Sequence, residues 1–209
     1  MPLSVEEIRI NYLRVQEEIQ RTALKCGRKP EEIRVVVVSK SQPLEVIEAA
    51  VKAGIRSFGE NYPEEAVDKI NAFRQIESIE WHMIGHLQSR KAKLVADYFN
   101  WMHSLDSLRI AEKLEGLLAE RNKHLKVLLE FNVGGEVSKF GWPASDQNHW
   151  AELIPEIEQI QRYPHLQICG LMTMPPLTAT LQEAQGDFRK LRQLRDLLQE
   201  RLPSLNLHE

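Results

Sequence analysis

The sequence predicts an α/β fold of the TIM type, a (βα)8 barrel preceded by one extra helix. Three observations predict it. Short apolar strands alternate with helical patterns at roughly 28 residues per unit, as expected of right-handed βα repeats. The first strand, Arg34-Val35-Val36-Val37-Val38-Ser39-Lys40, carries four consecutive β-branched residues without alternation, which suits a strand covered on both faces. Where a doubly wound nucleotide-binding sheet would place GxGxxG, the chain reads Val38-Ser39-Lys40-Ser41-Gln42-Pro43. A barrel is therefore favoured over an open sheet. The chain supplies six βα units, whereas a barrel closes with eight. The expectation is that the last two units are missing from this chain; an open sheet is the other closure the count allows.

The extra helix comes first. Ser4 and Glu7 are spaced as a capping box, and Ile8, Tyr12, Val15, Ile19, Ala23 and Cys26 recur at three or four residues before Gly27 stops the pattern. Cys26 lies on that stripe and reads as a small core residue. After the first strand, over 34–40, strands are expected near 55–58, 80–84, 100–104, 125–132 and 166–171. Helices are expected over 44–53, 62–73, 88–97, 107–120, 148–161 and 179–202. In the last of these, Phe188, Leu191, Leu194, Leu198 and Leu202 face inward. Arg189, Lys190, Arg192 and Arg195, interleaved with Asp187, Asp196 and Glu200, form the solvated face. No linker or low-complexity stretch divides the chain, so residues 1–209 are expected to form one domain.

Composition narrows the function classes. Apolar residues make up 43% and charged residues 27% of 209, which fits a folded domain rather than a disordered one. With 27 Lys+Arg against 30 Asp+Glu the net charge is -3, which argues against holding nucleic acid by bulk electrostatics. No apolar run approaches the ~20 residues of a membrane span. Met1-Pro2-Leu3-Ser4-Val5-Glu6-Glu7 lacks the basic start of a signal peptide. Cys26 and Cys169 form neither a disulfide framework nor a CxxC pair. The expected setting is the cytoplasm.

In parallel βα architectures functional groups gather at the C-terminal ends of the strands. Those ends are Lys40, Gly59-Glu60-Asn61, His82 to Arg90, His103-Ser104, Asn132 to Trp142 and Met172-Thr173. Lys40 ends the strand read as most buried. One reading is a solvated lysine; the other is a partly desolvated amine whose pKa falls, leaving a nucleophile for an aldehyde. His82 and His86 lack the Glu of HExxH, and Gly85 interrupts any helix that would align the two rings, so a metal site is not expected. Gly134-Gly135 offers a turn or a backbone anion cradle. Arg90, Lys91 and Lys93 offer either an anion contact or a solvated helix start.

Five blocks carry a family resemblance. They are Val37-Val38-Ser39-Lys40, Phe58-Gly59-Glu60-Asn61-Tyr62, Trp81 to Ser89 (Trp-His-Met-Ile-Gly-His-Leu-Gln-Ser), Val133 to Gly141 (Val-Gly-Gly-Glu-Val-Ser-Lys-Phe-Gly) and Gly170-Leu171-Met172-Thr173. In order and spacing, across nearly the whole chain, they resemble the pyridoxal phosphate homeostasis protein family. That resemblance implies a single barrel domain like the cofactor domain of alanine racemase. It also implies pyridoxal 5′-phosphate (PLP) bound as a Schiff base on Lys40, with Asn61, His82, Lys139, Met172 and Thr173 at the cofactor rim. In the family the phosphate and ring nitrogen are held mainly by a Ser/Gly/Met-rich turn and an Arg-Ile-Gly segment on the last two strands. This chain stops at Leu205-Asn206-Leu207-His208-Glu209, before that turn. Pro63, and Glu64 where the family usually has glutamine, are small departures at a helix start.

The implied function is non-catalytic, carrying or buffering PLP; the expected state is a monomer, with PLP-dependent apoenzymes as the expected recipients. The alternative is a PLP-dependent amino-acid racemase using Lys40 as one base. Stereochemical inversion also wants a second acid/base group on the opposite face, which alanine racemase supplies from an additional domain. A third class is a regulatory partner without cofactor.

Overall fold

The computed structural model describes residues 4–177 and 179–209. Met1, Pro2 and Leu3, part of the N-terminal reading above, lie outside the described residues. By their contacts the residues divide into two units, Met1–His82 and Met83–Glu209.

In the first unit, helix α1 (Val5–Lys25) opens with the expected capping box: Ser4 Oγ accepts from the Glu7 N–H while Glu7 reaches back to the Ser4 N–H. Its apolar stripe is only shallowly covered. Ala23 is its one buried residue among those described, and Cys26 is exposed, contrary to its reading as core. Periodicity selected the face of this helix but could not give the depth to which that face is covered. Strand β1 (Val37–Val38) leads to α2 (Leu44–Lys52), β2 (Ser57–Glu60), α3 (Pro63–Ala72) and β3 (Glu80–Met83), at whose end the units divide. β1 runs parallel to β2 in the register Val37 to Phe58 and Val38 to Gly59, and β2 neighbours β3. Pro63 opens α3, a position where its missing N–H costs nothing. Phe58, fully buried, stacks on Trp81 with ring centroids 5.3 Å apart. Removing a side chain of that size from water contributes about 2–3 kcal/mol.

β1 departs from expectation. It is two residues long, and Val38 is 51% exposed. The reading as the most buried strand fails because β1 has a single hydrogen-bonded neighbour, β2, among the described strands. Four valines report a preference for extended backbone, not the number of neighbours.

The second unit contains α4 (Ala92–Tyr98), β4 (Trp101–Leu105), α5 (Leu108–Ala119), β5 (Leu125–Asn132), β6 (Trp142–Pro143), α6 (Ile154–Gln161), β7 (Leu166–Met172) and α7 (Leu181–Arg201). β5 runs parallel to β4 and to β7. Val127, Leu129 and Phe131 on one face of β5 are buried. On the other face Leu128 packs with Trp101 and Cys169, and Met172 closes over them. β6, paired at Phe131–Trp142 and Asn132–Pro143, was not foreseen, because two residues carry no periodic signal. On α7, Leu194, Leu198 and Leu202 face inward as expected, but Phe188 is 54% exposed. After α7, Leu205 and Leu207 are buried, and the amides of His208 and Glu209 both donate to the Cys169 carbonyl, at 2.9 and 3.1 Å. Gly170 permits that approach, since a Cβ there would collide with the Glu209 carbonyl oxygen.

Among the described residues no helix is long and apolar enough to cross a membrane.

Candidate functional site

Parallel strands aim their C-terminal ends the same way, so residues just past those ends become neighbours. In the first unit this brings Lys40 and Asn61 to adjacent strand ends. The Ser39 amide donates to the Gly59 carbonyl (2.9 Å), continuing the β1–β2 ladder by one rung. Lys40 follows in a turn, and Ser41 takes φ of +59°, a left-handed conformation that bends the chain away from the strand. Lys40 is exposed and Asn61 half-buried. The shelter expected around the lysine is therefore not provided by its own strand: the exposed flank of β1 leaves the amine open to solvent. His82 lies within β3 and is 1% exposed.

Beneath Lys40 lies a polar cluster. The Glu60 carboxylate, 0% exposed, accepts from the Lys69 ammonium (2.8 Å) and the Ser39 hydroxyl (2.6 Å) through the same oxygen, Oε1. The Lys69 ammonium also donates to the Ser39 carbonyl at 2.8 Å. Glu60 belongs to the Gly-Glu-Asn block, but Lys69 was not foreseen. Its one sequence signal is its place beside Ala66 and Ile70 on the buried side of α3.

In the second unit, Lys139, Met172 and Thr173 come together. The Thr173 hydroxyl donates to the Phe131 carbonyl (2.7 Å), tying the end of β7 to that of β5. The Lys139 ammonium donates to the Met174 carbonyl (2.5 Å) and pairs with Glu136 (2.9 Å). Met172 packs inward on Trp101, Leu128 and Cys169. The loop between β5 and β6 is an internally bonded turn. Asn132 donates to the Glu136 carbonyl (2.7 Å) and accepts from the Gly135 amide (2.9 Å), and Gly135 has φ of +76°. That amide is thus committed to the turn, and the Asp187 carboxylate faces Gly134. Both observations favour the turn reading over an anion cradle.

Glu130 on β5 was not singled out, although a lone carboxylate inside Val127-Leu128-Leu129-Glu130-Phe131 is a visible signal. It is 8% exposed, and its pKa is pushed up to about 7. Burial is the main cause and the negative charge of Asp106 adds to it, while Lys139 opposes both. His86 pairs with Asp106 (2.8 Å) and stacks flat on Phe140, with centroids 3.6 Å apart. Lys93 pairs with Asp97, and Arg90 donates to Gln88. Among the described residues no group of three or more His, Cys, Asp or Glu side chains is gathered as a metal ion would need.

Comparison with known proteins places this arrangement. Residues 10–208 match the family model of the alanine racemase N-terminal domain. The pyridoxal phosphate homeostasis protein of Vibrio alginolyticus is 36% identical over 205 residues, spanning 97% of this chain and 85% of the relative. PipY of Synechococcus elongatus, solved with PLP bound, superimposes with a TM-score of 0.77 at 33% identity, covering 90% of this chain and 85% of PipY. Alanine racemase of Streptomyces coelicolor superimposes with a TM-score of 0.72 over 99% of this chain and 51% of the racemase. At 14% identity that likeness speaks for the fold alone. The expected fold class, an α/β barrel of the TIM type as in the alanine racemase N-terminal domain, is borne out.

Proposed function

Because this chain belongs to the pyridoxal phosphate homeostasis protein family, we propose that it is a non-catalytic PLP-binding protein, a single domain over residues 1–209 that holds PLP on Lys40. The observation that carries this reading is the placement of Lys40. It stands in an accessible turn directly after a strand whose last rung, Ser39, is bonded to β2. When bound, PLP would supply an aldehyde, and Lys40 is the amine that would hold it covalently and reversibly. Asn61, at the neighbouring strand end, is a second contact. The protein acts in the cytoplasm as a monomer, and PLP-dependent apoenzymes receive the cofactor.

The test is spectroscopic. Protein mixed with PLP gains a visible absorption that Lys40→Ala abolishes. Borohydride reduction followed by peptide mass mapping then places the pyridoxyl group on Lys40, and D- and L-alanine do not interconvert faster than with free PLP. Labelling confined to other lysines overturns the assignment of Lys40, and alanine racemisation overturns the non-catalytic reading. Alanine variants at Asn61, His82, Lys139, Met172 and Thr173, each titrated with PLP, test residue by residue the contacts the family resemblance implies.

A further inference from the structure

The buried pair of Glu60 and Lys69 has no role in the reading above, yet it is bonded to the residue that precedes Lys40. Five hydrogen bonds converge on Ser39. Its amide donates to Gly59, its hydroxyl donates to Glu60 and lies 3.4 Å from the Gly59 carbonyl, and its own carbonyl accepts from the Lys69 ammonium (2.8 Å) and from the Gln42 amide (3.2 Å). A peptide unit is planar, so the Ser39 carbonyl oxygen and the Lys40 amide nitrogen lie in one rigid plane. Whatever fixes that oxygen fixes the plane from which Lys40 departs. On the far side of Lys40 the chain turns through Ser41 at φ of +59°. Lys40 is held between a pinned peptide and a left-handed turn.

The pair is not explained as a source of stability. Desolvating two charges offsets most of their attraction, and apolar side chains of similar volume often serve a fold equally well. The second carboxylate oxygen of Glu60 is buried without a hydrogen-bond partner among the described residues, a further cost of keeping the charge there. What a charged pair supplies, and an apolar pair does not, is a second donor at the Ser39 carbonyl, beside the Gln42 amide, and an acceptor at its hydroxyl.

We propose that Lys69 and Glu60 are positioning residues, which lock the Ser39–Lys40 peptide and thereby set the direction of the Lys40 amine. The proposal rests on the reading of Lys40 as the Schiff-base lysine. It extends the site to a helix, α3, that carries none of the residues assigned to the cofactor.

The experiment compares wild type with Lys69→Met, Glu60→Gln and the double variant Lys69→Met/Glu60→Leu. Each is incubated with limiting PLP, reduced with borohydride and mapped by mass spectrometry, and circular dichroism and thermal melting report folding. The single variants leave one buried charge unpaired and melt lower. The double variant removes both charges and melts near wild type, but its pyridoxyl label on Lys40 falls about tenfold while label on exposed surface lysines is unchanged. A folded double variant that labels Lys40 as wild type does overturns the positioning role and leaves the Schiff-base reading standing. Wild type that does not label Lys40 overturns the Schiff-base reading itself, and the positioning role with it. A second measurement needs no variant. NMR relaxation on wild type should find the Lys40 amide as rigid as those of β2, and a mobile Lys40 amide overturns the proposal even if every variant fails to fold.

Discussion

Replacing Glu130 with glutamine tests the electrostatics of the second unit most directly. The carboxyl titrates near 7 in the folded protein against an ordinary value of 4.5, because burial and the nearby Asp106 charge disfavour its ionised form more than Lys139 favours it. Below about pH 4.5 folded and unfolded chains both hold the proton and the residue is neutral to stability. Between about 4.5 and 7 the unfolded chain ionises while the folded one does not, so stability falls as pH rises, and above about 7 the loss is complete. The separation corresponds to at most about 3 kcal/mol. Glutamine keeps the shape and cannot ionise. For a chain of this length the variant should therefore melt roughly 5–10 °C above wild type at pH 8, with the difference shrinking steadily toward pH 5. Thermal melts followed by circular dichroism across pH 5 to 8.5 provide the assay. A difference between the two proteins that stays constant over that range would refute the reasoning, since only a group titrating inside the window gives it a slope.

Two glycines carry further predictions. Gly141 has φ of +101°, and a Cβ there would meet the Glu130 carbonyl oxygen at 2.7 Å; Gly141→Ala should cost about 2–4 kcal/mol in urea denaturation. Gly170→Ala should push the terminal segment off β7, seen as faster hydrogen exchange at the His208 and Glu209 amides with little change in the β4–β5 amides.

The alternation of strand and helix was legible because each element is long enough to show its period. Both β5 and α7 lie within a residue or two of where the pattern puts them. The capping box at Ser4 was legible because it is purely local. What the sequence did not show depends on how many neighbours an element acquires. Val35 to Val38 read as part of a strand covered on both faces, and only Val37 and Val38 form one, short and with a bare flank. Cys26 and Phe188 lie on the right faces of their helices and stay exposed because little packs over them. The candidate site divides in the same way. Lys40, Asn61 and Thr173 stand just past strand ends, where the pattern put them, while the cofactor contacts themselves came from the family resemblance. Lys69 was marked only by its place beside Ala66 and Ile70, because a lysine aimed inward from a helix has the same letter as one aimed at solvent. Glu130 could have been found, since a charge in an otherwise apolar strand asks for an explanation.

The parallel registers carry a consequence for how the chain is made. β1 joins β2 and β4 joins β5 across one intervening helix each, and β5 joins β7 across β6 and α6, with gaps of roughly 20 to 40 residues. Each pairing closes a loop of similar entropy, and none within a unit must wait for a distant partner. A nascent polypeptide leaving the ribosome at a few residues per second has time to dock each strand before its successor emerges. Assembly from the amino end onward is thus built into the order in which the strands were laid down.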